Sequence, residues 1–400
     1  MKYSVNGENN NKLIDFLAAA IVFLMGCLRN GNLNLLYFMA PFLLIYGIKQ
    51  HKKIGRKIVF MFIPFVLILI ITYLYSSYFT TIDKSLIYLL KLFVCITIYC
   101  VVRFCNLKIN IYRVSKYLVF LIFFFTCFAL VNKNDYLWRL GDVVNKYAKN
   151  RLQLFSQEPS ELSEVCGILL LLNIYYLKIG IKRNYLGLVF IIIPLFLSAG
   201  LSGMVYSAIA ILLFLFLTEF QTLRNGKISL IFLLTIILIC LVAIFAFINP
   251  NNGIMLRIND IINGNDGSFN YRFTRSYEAT LDILRSTKFI GVGLGNLRTD
   301  YMQLYLLNKF NLYSFSNSYL FFIAEGGLIA ILYLLLLIIN TIKFLVKISF
   351  TSVEKKFRYS LLLFIVVFQI TGGYFTDPFL WLVTGLVASA NLTKRSDNNV

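Results

Sequence analysis

Ile58-Val59-Phe60-Met61-Phe62-Ile63-Pro64-Phe65-Val66-Leu67-Ile68-Leu69-Ile70-Ile71-Thr72-Tyr73-Leu74-Tyr75-Ser76 runs without one charged residue. At a helical rise of about 1.5 Å per residue, such a run covers the roughly 30 Å hydrocarbon core of a bilayer. Directly before it stand Lys52, Lys53, Arg56 and Lys57, a basic edge of the kind that stays on the cytoplasmic side. Similar runs recur on both sides of this one. Spans are expected at 13–28, 33–48, 58–76, 85–102, 114–131, 163–178, 185–198, 202–218, 228–248, 318–342, 359–373 and 376–392. The chain has 400 residues, 59% of them hydrophobic and only 14% charged, with a mean hydropathy of +0.77. One soluble core cannot hide that much apolar surface, so lipid must serve as part of the solvent. The reading is an all-α, polytopic helical membrane protein of about 12 transmembrane helices, with residues 1–400 forming a single membrane domain. The first run follows a polar opening and ends at Gly26-Cys27-Leu28 without a small-residue cleavage site, so it is read as a retained span.

The formal net charge is +20. Membrane orientation accounts for it more simply than nucleic acid, because most basic residues fall in alternate connecting segments, and no nucleic-acid partner is expected. With the amino terminus in the cytoplasm every inner segment is basic and both termini are cytoplasmic. All seven cysteines lie in or beside apolar runs with no CxxC pair, so neither a zinc site nor a disulfide framework is indicated. Lys91 lies inside the fourth run. It is either a lysine snorkelling to the outer interface or a diphosphate contact deep in the bundle. Two outside segments, 132–162 and 249–317, exceed ordinary connector length and gather most of the remaining charges, so function is expected there.

The first loop ends in Phe155-Ser156-Gln157-Glu158-Pro159-Ser160-Glu161-Leu162-Ser163-Glu164. Pro159 and Ser160 suit a helix start, and the three glutamates repeat along one side of that helix. Glu161 and Glu164 are read either as functional or as solvated complements of the helix dipole; Glu158, held before a proline, is read as functional. The second loop carries Asn270-Tyr271-Arg272-Phe273-Thr274-Arg275-Ser276-Tyr277-Glu278, then a helical stretch through Leu284, then Gly291-Val292-Gly293-Leu294-Gly295-Asn296. No Rossmann pattern follows these glycines, so a dinucleotide fold is not expected. Spaced glycines let backbone amides approach an anion, and arginines grip diphosphate oxygens in pairs; a structural turn beside two interfacial arginines is the plainer alternative. The tenth run opens with Ser316-Asn317-Ser318-Tyr319-Leu320, where Asn317 and Ser318 are expected to cap the helix. Glu325 follows two turns inside, at a depth where a carboxylate needs a cavity or a cation.

Taken in order, Phe155-x-x-Glu158-Pro159-Ser160, Leu197-Ser198-Ala199-Gly200-Leu201-Ser202-Gly203, Arg272 to Tyr277, the glycine turn with Asn296, Asn317-x-Tyr319-Leu320 and Glu325-x-Gly327 resemble the O-antigen polymerase and O-antigen ligase superfamily of bacterial membrane proteins. The layout is shared over most of the chain and the motifs over about 150 residues. The resemblance implies a GT-C-like fold in the cytoplasmic membrane and an inverting, metal-independent glycosyl transfer. It also implies an undecaprenyl-diphosphate donor held by outside-loop arginines, and a chain-length regulator as a possible membrane partner. No cofactor is expected. Ser316 stands where ligases of this family carry a histidine, and the only histidine, His51, lies in a cytoplasmic loop, which favours polymerase over ligase. Tyr277 replaces the family's usual tryptophan and the proline expected before the glycine turn is missing, so the family's arginine falls on either Arg272 or Arg275.

The expected reaction joins lipid-linked oligosaccharides, so it needs positioning, positive charge where the diphosphate departs, and a base for one proton. Arg272 and Arg275 are assigned to the diphosphate, with Arg151 as a further candidate. Glu158 is assigned as the base, and Glu325 is expected to orient an arginine. Tyr277, Gly291, Gly293, Gly295, Asn296 and Asn317 complete the expected binding set, and Tyr271, Tyr313 and Trp138 offer faces to sugar rings or belong to the interfacial belt. The alternatives are the ligase, and a polysaccharide or lipid transporter, against which the absence of an evident internal repeat argues.

Overall fold

The computed structural model describes residues 5–27, 29–30, 33–34, 36–75, 82–105, 109–140, 150–156, 158–181, 185–224, 253–347, 351–372 and 375–389. These residues form an all-α polytopic bundle. Its helices are α1 (Val5–Cys27), α2 (Leu36–Gln50), α3 (Ile54–Tyr75), α4 (Ile82–Phe104), α5 (Ile111–Val131), α6 (Pro159–Lys178), α7 (Tyr185–Leu197) and α8 (Leu201–Arg224). The loop helices α9 (Gly253–Ile262), α10 (Ser276–Ser286) and α11 (Asp300–Phe310) follow, then α12 (Ser318–Lys347), α13 (Ser352–Thr371) and α14 (Pro378–Val387). Every expected span falls on one of these helices except 228–248, which lies outside the described residues, as do both chain termini. Six of the helices are long and apolar enough to cross a membrane, and α7 and α14 are shorter apolar helices.

Local sequence explains where several helices begin. Pro159 opens α6, needing no donor of its own there, and Pro378 opens α14 behind the Asp377 cap. Asn110 caps α5 by accepting from the Arg113 amide at 3.2 Å. Packing then sorts the helices by depth. In α6 83% of the span window is buried and in α4 72%, against 22% in α3, so α6 and α4 form the centre while α3 turns a broad face outward. α6 packs on α7 and α8, α8 on α13, and α4 on α14, α2 and α3. Contact between α6 and α8 is set by small residues: a Cβ at Gly203 would stand 2.6 Å from the Ser163 Cβ and 2.9 Å from its carbonyl carbon.

At the end of the bundle that carries both long loops, a small hairpin pairs Trp138 with Leu152 and Arg139 with Arg151. Trp138 is buried and its indole N–H donates to the Ala129 carbonyl at 2.8 Å, so it is a packing residue and presents no face to a sugar. Glu164 is also buried, at 2% exposure, and is therefore not one of a solvated row along α6.

Helix α12 is broken near its loop end. Gly327 has φ 55° and ψ −138°, outside helical geometry, and a Cβ there would stand 2.1 Å from the Phe289 carbonyl oxygen. The glycine segment 291–295 lies against this break. Its three glycines all have positive φ (87°, 93° and 79°), and the amides of Val292 and Gly293 donate to the carbonyls of Ala324 and Glu325 at 3.0 and 2.8 Å.

Candidate functional site

Arg272 lines a pocket of about 220 Å³ at the loop end of the bundle. The pocket is walled by Leu201, Ser202, Val205 and Tyr206 of α8, by Thr371 at the end of α13, and by Arg257, Ile261, Asp266, Ser268, Phe269 and Phe273 of the large loop. Asp266 shapes its floor: its carboxylate accepts from the Phe269 amide at 2.6 Å and from Arg257 Nε at 3.2 Å. Arg257 is thereby paired. Arg272 has no hydrogen-bond or ion-pair partner among the described residues, and partial burial first, then the neighbouring Arg257, pulls its pKa below that of an ordinary arginine. Such a guanidinium, placed beside a second cation in a cavity, is suited to receive an anion.

Glu158 faces this region from α6 and acts on Arg272 through space. It is exposed, sits at the N-cap of α6 with an extended backbone, and accepts from the Ser160 hydroxyl at 3.1 Å. The fold therefore brings two distant expected residues, Glu158 and Arg272, to one place. Arg151 reaches the same end of the bundle, where its Nε donates to the Ser198 carbonyl at 3.2 Å in the α7–α8 turn.

Arg275 goes elsewhere. Residues Tyr271–Arg275 form a π-helical turn, wider than an α-turn, which rotates Arg275 away from Arg272. Its guanidinium donates to the Asn311 carbonyl at 3.1 Å, at the left-handed cap of α11, and the Tyr271 hydroxyl accepts from the Ser314 amide at 2.7 Å. Tyr277 and Tyr313 are exposed nearby.

The glycine amides are engaged within the fold. Gly291 donates to the Thr287 hydroxyl at 3.0 Å, Gly293 to the Glu325 carbonyl at 2.8 Å and Gly295 to the Glu325 carboxylate at 2.8 Å. Asn296 is fully buried and its Nδ2 donates to the Val292 carbonyl at 2.7 Å. Asn317 accepts from the Tyr319 and Leu320 amides at 3.1 Å each, capping α12, whereas Ser318 does not cap and donates instead to Gln369. Glu325 is fully buried, and the cation that acts on it is Arg298, not Arg272 or Arg275. Arg298 is the residue sequence reasoning overlooked. Its position directly after the glycine turn, in the short helical turn Asn296–Arg298, was the available signal.

Among the described residues no three His, Cys, Asp or Glu side chains are gathered as a metal ion would require. No curated protein matches the chain. Over residues 186–335, from α7 through the Arg272 pocket and the glycine turn to the middle of α12, the chain matches the family model described as O-Antigen ligase, consistent with the O-antigen polymerase and ligase superfamily.

Proposed function

We propose that the protein is a polymerase that joins undecaprenyl-diphosphate-linked oligosaccharide repeats on the outer side of the bacterial cytoplasmic membrane. The observation that carries this reading is the pocket lined by Arg272, a guanidinium without a partner among the described residues, on which the exposed Glu158 acts through space. The donor's diphosphate lies on Arg272, with Arg151 at the same end of the bundle. The acceptor hydroxyl oxygen bonds to the donor's anomeric carbon from the face opposite the diphosphate, the carbon–oxygen bond to that diphosphate breaks, and the hydroxyl proton passes to Glu158. Arg272 stabilises the negative charge that develops on the leaving diphosphate. Buried Glu325 and the glycine turn serve as the frame that holds the large loop on α12, with Asn296 and Asn317 as parts of that frame.

The ligase reading draws on the description of the matched family model, and the transporter is the remaining alternative. Ser316, partly buried before the α12 cap, lacks the imidazole that ligases of this family place there. The test is a gene deletion restored with wild type or with Arg272→Ala, with surface polysaccharide displayed by length. Single repeats without a ladder support the polymerase; a ladder retained on its lipid carrier establishes the ligase; an unchanged pattern overturns both.

A further inference from the structure

At the end of the bundle opposite the large loop, two cations turn inward onto one aromatic ring. Lys57, in the first turn of α3, places its Nζ 3.4 Å from the centre of the Phe104 ring. Arg103, at the end of α4, holds its guanidinium carbon 5.0 Å from the same ring, 5.2 Å from Phe344 of α12 and 5.6 Å from Tyr99. The shared ring puts the two charges within about one Debye length of each other, roughly 8 Å at physiological ionic strength, so they repel. Their hydrogen bonds bring no negative charge. Lys57 meets His51 Nε2 at 3.5 Å, Arg103 donates to the Tyr99 hydroxyl, and Arg103 Nε is buried without a partner among the described residues. The described carboxylates at this end are engaged by other cations: Asp15 by Arg113 at 3.6 Å, Glu219 by Lys178 and Glu354 by Arg358 at 2.6 Å.

Two like charges held together at a helix junction create a field that an anion relieves, and a basic pocket between membrane helices suits a lipid phosphate. The surroundings select lipid as the source. One turn beyond Lys57, Phe60 opens a row with Ile63, Leu67, Ile70 and Leu74, spaced by three and four residues and all exposed along one face of α3. Acyl chains lie against such a face in a bilayer, and its start beside Lys57 brings the headgroup of the same lipid to the cations. A phosphate without chains gains nothing from that row. The length of α4, roughly 30 Å, separates this cluster from Lys84, whose ammonium donates to the Arg298 carbonyl in the large loop. It is therefore a different place from the Arg272 pocket.

We propose that Lys57 and Arg103 hold the headgroup phosphate of an anionic phospholipid whose chains lie on the outer face of α3, and that this lipid ties together the ends of α3, α4 and α12. The test adds phosphatidylglycerol, phosphatidylcholine or inorganic phosphate to delipidated full-length protein in detergent. Bound lipid is counted by native mass spectrometry, and the midpoint of thermal unfolding is followed. Phosphatidylglycerol is expected to bind wild type and Lys57→Arg about tenfold more tightly than phosphatidylcholine and to raise the midpoint. Lys57→Gln and Arg103→Gln each weaken its binding about fivefold, whereas Lys53→Gln, which removes the same charge from an exposed position nearby, leaves it unchanged. Equal binding of the two lipids to wild type, or an equal loss in Lys53→Gln and Lys57→Gln, overturns the site. Protection by inorganic phosphate as strong as that by phosphatidylglycerol overturns the lipid as its occupant.

Discussion

The Gly295 amide donates to the carboxylate of Glu325 at 2.8 Å, across 30 residues of sequence. Together with the Gly293 amide on the Glu325 carbonyl, this joins the large loop to the broken helix α12 and fixes where Arg298 stands. A buried carboxylate deprived of such a donor is expensive, and a donor deprived of its acceptor is little better. Glu325→Ala is expected to cost about 2–4 kcal/mol of stability, read as a lowered midpoint in thermal unfolding followed by size exclusion. A variant as stable as wild type would show that the loop is held by other contacts.

Replacing Gly327 tests the same joint from the other side. A methyl group there meets the Phe289 carbonyl and sits on a backbone of positive φ, so Gly327→Ala is expected to abolish accumulation of folded protein. Near-normal amounts in a detergent extract would contradict the geometry.

Glu158 is exposed and its hydrogen bond is to Ser160, so Glu158→Gln is expected to change stability by less than about 0.5 kcal/mol. Its removal as a base is expected to lower polymer formation by about 100-fold. Full ladder formation by this variant would end its assignment as the base.

Arg272→Lys keeps the charge and loses the planar fork. Transfer is expected to fall by about 10-fold with lysine and about 100-fold with alanine, measured with a synthetic lipid-linked repeat. Equal activity in all three proteins would remove Arg272 from the reaction.

Within the large loop, α10 and α11 are clamped by Asp282, which accepts from Lys309 at 2.7 Å and from the Tyr305 hydroxyl. Those two hydrogen bonds, Lys309 first, hold the Asp282 carboxyl below its ordinary value of 3.8. The same partner raises Lys309 above its ordinary 10.5. A depressed carboxyl contributes stability that is present above its unfolded pKa and lost as pH falls through the folded one; a raised ammonium contributes below its unfolded pKa and loses it as pH rises through the folded one. The clamp is therefore intact through neutral pH and opens below about 4. Amide exchange across 276–310 is expected to quicken there, and Asp282→Asn is expected to quicken it already at pH 7. An exchange pattern that ignores both changes would show that the clamp contributes nothing.

Hydropathy and capping are short-range properties, which is why the chain alone discloses so much of the bundle. The uncharged run at 58–76 reads as a helix in lipid, because its length suits a spanning helix and only a helix satisfies the backbone within the segment itself. Pro159 marks a helix start by needing no donor there, and Asn317 does so through bonds made within three residues of itself. Glu158 was legible as a candidate because its place before Pro159 is a local fact. What the chain alone left open was who receives each donor across space. The glycine turn reads equally well as an anion cradle or a structural joint, and only its packing against Gly327 directs its amides to Glu325. Arg272 and Arg275, three residues apart, are sent to a pocket and to a carbonyl by the width of one π-turn. Trp138 is withdrawn into the core, and Arg298, silent in sequence, is set over the Phe321 ring of α12. Such assignments depend on which residues distant in sequence become neighbours, and that is decided by the packing of helices against one another.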